Sequence, residues 1–326
     1  MRARARWAML AVILAFLVFP ARAAKQYFAI ATGGIGGTYY PLGGALAAAL
    51  SERIPGLVAT AQTGNASVAN CNLIARRSIE SAFVQNNVAT WAYTGTGLFK
   101  GKRTVRNLRA IASLYPEAIQ VVATRASGVR KITDLRGKRV IVGAPGSGTE
   151  VDARQVLKAH GLTYSDLKVD YLGFAEAVQR LKDGQTDAAF VSAGFPTASV
   201  LELSARTGVV ILSITGEGRE TLLRMAPYYV PAVIPAGTYR GMEKDVETVT
   251  TVAQWVVDAN LPANLVYQMT RALWEPTGGK PSMAEVLANA HAKGREVTLK
   301  TALEGNGIPL HPGAERFYRE KGLIQK

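Results

Sequence analysis

The chain has 326 residues, with 38 Lys or Arg against 24 Asp or Glu, a formal charge of +14 at pH 7. At 48% hydrophobic it is too apolar for a disordered chain, and it is long enough for two lobes at roughly 100–200 residues per domain. Its one cysteine, Cys71, excludes an intrachain disulfide, and its three histidines (His160, His291, His311) are not at metal-ligand spacing.

The basic excess raises nucleic acid as a partner, but no nucleic-acid-binding motif accompanies it. The cations gather at Lys100, Lys102, Arg103, Arg106 and Arg109, and at Arg125, Arg130, Lys131, Arg136, Lys138 and Arg139. Such clusters read as solvated faces that can also steer an anion.

Residues 1–23 read as a processing signal. Arg2, Arg4 and Arg6 precede the apolar run Trp7–Phe19, and Pro20 and Ala21-Arg22-Ala23 supply a break and a cleavage site. That run is shorter than the ~20 residues that span a bilayer. The expectation is a periplasmic protein, cleaved near Ala23, with no stable membrane insertion; an uncleaved anchor is the alternative.

Strand and helix signals then alternate at short intervals, which predicts parallel sheets covered by helices. Gln26–Ala31 reads as a strand, followed by a helix carrying Leu42, Ala45, Leu46, Ala49 and Leu50. Leu57–Ala61 is a strand, Ser67–Arg77 a helix, and Ile79–Val84 a strand ending at Gln85-Asn86-Asn87. The rhythm restarts after Pro116 with strands at Gln120–Thr124 and Arg139–Gly143. A helix with Ala153, Val156 and Leu157, a strand at Lys168–Leu172, a helix with Phe174, Val178 and Leu181, and a strand at Asp187–Val191 follow. Gly194 and Phe195 lie in the turn to the next helix, and Val209–Ile214 returns as a strand. Tyr228-Tyr229-Val230 among prolines is an edge strand or linker, and helices are predicted at Glu243–Asp258, Ala263–Trp274 and Ser282–Asn289.

This arrangement is α/β and periplasmic-binding-protein-like: two lobes of mostly parallel sheet joined by two crossings, plus C-terminal helices. Residues 24–116 would open lobe 1, 117–214 form lobe 2, and 215–326 return through the hinge and complete lobe 1. The crossings are placed near Leu114–Ile119 and Ser213–Ile234.

Two glycine-studded loops, each between a strand and a helix, carry the functional signal: Gly33-Gly34-Ile35-Gly36-Gly37-Thr38-Tyr39-Tyr40 and Gly143-Ala144-Pro145-Gly146-Ser147-Gly148-Thr149-Glu150. A helix start leaves about four amide N–H groups unpaired and carries roughly half a positive charge, so each loop is a seat for a small anion. Gly143 and Gly148 have P-loop spacing, but Thr149 and Glu150 replace the Lys and Ser/Thr that nucleoside triphosphate binding needs. The first loop fails the dinucleotide pattern, with Tyr39 at the third glycine position. The candidate ligand-binding residues are Gly34, Thr38, Tyr39, Tyr40, Ser67, Gln85, Asn86, Gly146, Ser147, Gly148, Thr149, Glu150, Gly194 and Phe195. Glu150 either stabilises the helix dipole or meets a ligand ammonium group. No catalytic constellation stands near the loops, so the reading is a binder that is not an enzyme, with no cofactor and no metal.

The run Gly36–Gly43, the pair Ser67–Asn70 and Phe83–Ala89, Gly146–Glu150, Leu181–Phe190 and Pro309–Tyr318 resemble the TAXI-type solute-binding proteins of tripartite ATP-independent periplasmic (TRAP) transporters. The resemblance implies a two-lobed protein that closes on a small organic anion and delivers it to an ion-driven membrane permease. It implies that Thr38, Tyr39, Tyr40, Ser67 and Gln85 face the ligand from one lobe and Gly146, Ser147, Gly148 and Thr149 from the other. Asn87 stands where that family usually has Asp, and Ala66 where Gly is common. A di- or oxo-carboxylate therefore stands beside a glutamate- or glutamine-like amino acid as ligand class. A periplasmic sensory protein, or a small-acid lyase or dehydratase on the same fold, are the alternatives.

Overall fold

The structure is a computed structural model describing residues 25–325; the predicted leader lies outside the described residues. The strands are β1 (Gln26–Ala31), β2 (Leu57–Gln62), β3 (Ser81–Gln85), β4 (Leu108–Thr124), β5 (Arg139–Ile141), β6 (Lys168–Asp170), β7 (Ala188–Ala193), β8 (Val209–Leu212), β9 (Val230–Ile234) and β10 (Val246–Asp258). The helices are α1 (Tyr39–Arg53), α2 (Ser67–Ala75), α3 (Asn86–Thr94), α4 (Gly148–Ala159), α5 (Phe174–Lys182), α6 (Ala198–Thr207), α7 (Gly216–Met225), α8 (Ala263–Trp274), α9 (Met283–Ala290) and α10 (Pro312–Glu320). No helix among the described residues is long and apolar enough to cross a membrane.

Two long strands organise everything else. β4 pairs antiparallel with β10 over Leu108–Ala118, and its remainder pairs antiparallel with β7 and β8. β10 pairs with β9 at its start and with β3 at its end. Both strands therefore pass from one half of the sheet to the other, and each half keeps a parallel βαβ portion: β2-β1-β3 in the first lobe and β7-β5-β6 in the second. This is the two-lobed, mixed α/β architecture expected from the sequence.

Side-chain alternation along the crossing strands explains why they bury on both faces. Ile119, Val121 and Ala123 of β4 join Val140, Val156, Phe190 and Leu212 on one side, while Ala118 and Val122 join Ile141, Val178 and Val191 on the other. In the first lobe Ala253, Trp255 and Val257 of β10 pack with Phe83, Tyr115 and Met269, and Val256 packs opposite with Val84 and Val88.

The helix expected over Glu243–Asp258 is a strand from Val246 onward. Its residues are mostly β-branched (Val246, Thr248, Val249, Thr250, Thr251, Val252, Val256, Val257), which fits a strand buried on both faces better than a helix. The return between lobes is made by this strand rather than by Ser213–Ile234. There α7 and the residues before β9 stay with the second lobe, where Leu222, Ala226 and Tyr229 pack against Phe190 and Leu212.

Candidate functional site

The lobes enclose a cavity of about 360 Å³, a size suited to a small metabolite. Four helix N-termini form its wall: Gly37, Thr38 and Tyr39 at α1, Asn65, Ala66 and Ser67 at α2, Ser147, Gly148 and Thr149 at α4, and Leu172, Gly173 and Phe174 at α5. Among the described residues, the amides of Thr38, Tyr39, Ser67, Gly148, Thr149 and Phe174 have no protein acceptor. Among the described residues the wall holds no Lys, Arg or His, and its acids are Glu117 and the exposed Glu176. Positive potential in the cavity therefore comes from helix ends rather than from side-chain cations.

Local sequence fixes these ends. Ser147 caps α4 by accepting the Glu150 N–H at 3.1 Å. Ser67 Oγ accepts the Gln85 N–H at 3.0 Å, and Asn70 Nδ2 donates to the carbonyls of Thr32 (3.0 Å) and Phe83 (2.8 Å), clamping α2 onto the ends of β1 and β3.

The lobes touch directly around the cavity. Thr38 Oγ1 donates to the Gly194 carbonyl (2.9 Å), the Val68 and Ala69 amides donate to the Gly146 carbonyl (3.1 Å each), and the Ser199 amide donates to the Gly36 carbonyl (3.2 Å). Gln85 Nε2 donates to Asp152 Oδ2 at 2.8 Å, and Tyr229 Oη donates to Asp152 Oδ1 at 2.6 Å. Several glycines serve this approach of lobe to lobe. A Cβ on Gly36 would lie 3.2 Å from Ser199 Cβ, one on Gly37 3.3 Å from the Phe174 ring, and one on Gly148 1.9 Å from Gln85 Oε1.

Of the candidate residues, Gly34, Thr38, Tyr39, Ser67, Gln85, Ser147, Gly148 and Thr149 lie in the wall. The other six lie outside it. Gly146 and Gly194 make the lobe-to-lobe bonds just described. Phe195 stacks under Lys293 Nζ, 3.8 Å from its ring centre. Asn86 bridges the Gly305 carbonyl and the Val252 amide. Tyr40 is exposed at the first turn of α1. Glu150 pairs with Arg154 and accepts a bond from Tyr164 at 3.1 Å, so its carboxylate is turned to its own lobe. That pairing was legible as an i, i+4 acid–base spacing. Glu150→Ala is expected to change anion affinity less than twofold in calorimetry, while costing about 0.5 kcal/mol of stability through the lost pair and dipole contact.

Two buried acids were missed. Glu117 sits in β4 with its Oε2 accepting from Tyr39 Oη at 2.8 Å, and burial pushes its carboxyl up to about 8, with the nearby charge of Asp152 adding to the rise. Asp152, fully buried in the first turns of α4, is raised to about 6 by burial, a rise opposed by its hydrogen bonds with Ser192, Tyr229, Gln85 and Asn87. Gln85 Oε1, packed against Gly148 at the wall, has no partner among the described residues.

The fold has known counterparts. The alkanesulfonate-binding protein SsuA from Xanthomonas axonopodis pv. citri, bound to MOPS, superposes with a TM-score of 0.50 at 18% identity, covering 91% of this chain and 85% of its own. PhnD1 from Prochlorococcus marinus (MIT 9301), in complex with methylphosphonate, gives 0.54 at 10% identity, covering 91% and 99%. At these identities the likeness establishes the fold. The sequence itself matches the model of one family from residue 30 to residue 322, and the chain belongs to the NMT1-like family.

Proposed function

We propose that the protein is a periplasmic solute-binding protein that captures a small organic anion between its lobes and hands it to a membrane permease. The observation that carries this reading is the convergence of four helix N-termini, with unpaired amides, on one cavity without a side-chain cation. Each charge-assisted hydrogen bond contributes on the order of 1.5–3 kcal/mol, so three or four of them, less the cost of immobilisation, support micromolar or tighter binding. Because the wall draws on both lobes, bound anion favours the closed arrangement over an open one, by hinge motion about β4 and β10.

The resemblance of Gly36–Gly43, Ser67–Asn70 and Gly146–Glu150 to TAXI proteins supports a carboxylate as the anion and a TRAP permease as the partner. A sulfonate or phosphonate is the second reading, favoured by the alkanesulfonate-binding protein and the methylphosphonate complex that share the fold. An enzyme reading would rest on the buried acids Glu117 and Asp152. Proton NMR of the same anions incubated with the protein tests for turnover, and unchanged spectra are expected.

The test of the main reading is a thermal-shift panel of succinate, L-glutamate, 2-oxoglutarate, ethanesulfonate and methylphosphonate, with putrescine and glucose as cationic and neutral controls. A ligand at a hundred times its Kd stabilises by about 2.7 kcal/mol, so at least one anion is expected to raise Tm by several degrees. A response to putrescine or glucose alone would contradict the proposal.

A further inference from the structure

We infer that the cavity takes up its anion together with a proton carried on Glu117, whose neutral carboxylic acid donates a hydrogen bond to that anion. The inference rests on the anion-binding reading above and deepens it. Glu117 is 2% exposed and forms part of the cavity wall, at the level where β4 passes between the lobes. Its Oε2 accepts from Tyr39 Oη; among the described residues its Oε1 has no protein partner and the carboxyl forms no ion pair.

Among the described residues no side-chain cation pairs with the carboxyl there, and the positive potential of the helix ends is shared with the bound anion. From α1 comes the Tyr39 hydroxyl, from β4 itself Tyr115, and from α4 the acid Asp152. The paired residue on β10 is Thr251, the neighbouring β7 positions are Ser192 and Ala193, α2 supplies the Ser67 hydroxyl, and α5 brings Glu176 to the wall. Lys293 of the turn Ala292–Glu296, which packs beside Gly194, is committed to Glu296 at 2.7 Å and to the Phe195 ring.

An anion held by the helix ends and an ionised Glu117 would be like charges in one cavity of about 360 Å³. Protonation removes that conflict and supplies a donor. The balance is simple: protein, anion and one proton give the complex, and no bond to carbon is made or broken. Burial already pushes Glu117 up to about 8. Below that pH the proton is in place; above it each pH unit is expected to weaken binding tenfold, with one proton taken up per anion bound. Asp152, at about 6, titrates in a lower window, and the Tyr39 and Tyr115 hydroxyls are raised above their ordinary value by burial.

Calorimetry with the tightest-binding member of the five-anion panel tests this at pH 7 and 9.5, and at pH 9 in two buffers of different ionisation enthalpy. The wild type is expected to lose roughly 30-fold in affinity between the first two conditions and to take up close to one proton at pH 9. In Glu117→Gln, a neutral isostere that still donates, the ratio between the two pH values is expected to fall below threefold, whatever the absolute affinity. An affinity independent of pH with no proton uptake in the wild type would overturn the inference and leave anion binding standing. Equal pH dependence in Glu117→Gln would do the same, and the wild-type proton count decides the matter should that variant not fold. If none of the five anions binds at any pH, the anion reading falls and this inference with it.

Discussion

Gly148→Ala is expected to abolish tight anion binding while leaving the fold intact. The added Cβ would stand 1.9 Å from Gln85 Oε1, 2.4 Å from Gln85 Cδ and 2.9 Å from Ser67 Oγ, all on the opposite lobe. Gln85 cannot swing clear cheaply, because its amide is tied to Asp152 and it is 2% exposed. Within its own lobe Gly148 opens α4 without a left-handed backbone, so alanine there meets no strain and gains helix propensity. The clash therefore falls on closure and not on folding. If steric conflict reduces the binding-competent closed population to 1%, apparent affinity falls 100-fold. The expected result is a loss of at least that size in calorimetry, a Tm within about 3 °C of wild type, and a larger radius of gyration in solution scattering with the best panel anion present. Affinity within threefold of wild type would show that the lobes do not meet at this point when the anion is bound.

Asp152→Ala is expected to have the second largest effect, and a different signature. Asp152 is fully buried in α4, yet its two oxygens serve Gln85 of the first lobe and Tyr229 of the segment before β9. Truncation leaves two buried donors unpaired at ~1–3 kcal/mol each and opens a void, offset in part by removing a carboxylate whose ionisation burial opposes. A net loss of about 2–4 kcal/mol is expected, seen as a lower Tm in denaturation together with affinity weaker by 30-fold or more. Asp152→Asn keeps an acceptor for Tyr229 but turns an amide toward the Gln85 amide, so an intermediate loss is expected. A stability unchanged in both variants would remove Asp152 as the link between the lobes.

The contrast between these residues shows what the sequence carried. Gln85 stood out because it ends a strand, where open α/β sheets place ligands, and Ser147 because it lies in a glycine loop that opens a helix. The glycine loops were recognisable as helix starts, but a sequence does not say what a missing Cβ makes room for. In the structure, Gly36, Gly37 and Gly148 admit the other lobe. Glu117 lies within Tyr115-Pro116-Glu117-Ala118, a stretch that reads as connection rather than strand, and Asp152 looks like any acid on an amphipathic helix. Both acquire their chemistry from burial between lobes distant in sequence, which no local pattern encodes. β10 failed as a prediction for a related reason. A strand buried on both faces has no alternation to display, and apolar residues spread over thirteen positions imitate a helix.

The central claim is that helix ends, not side-chain cations, hold a negatively charged solute between the lobes. A crystal structure with the panel anion that stabilises most tests it directly. The anionic group is predicted to lie within hydrogen-bond distance of the amides at the starts of at least two of α1, α2, α4 and α5, with both lobes contributing. An anionic group bound to an arginine or lysine outside the cavity, or turned to solvent at its mouth, would contradict the account.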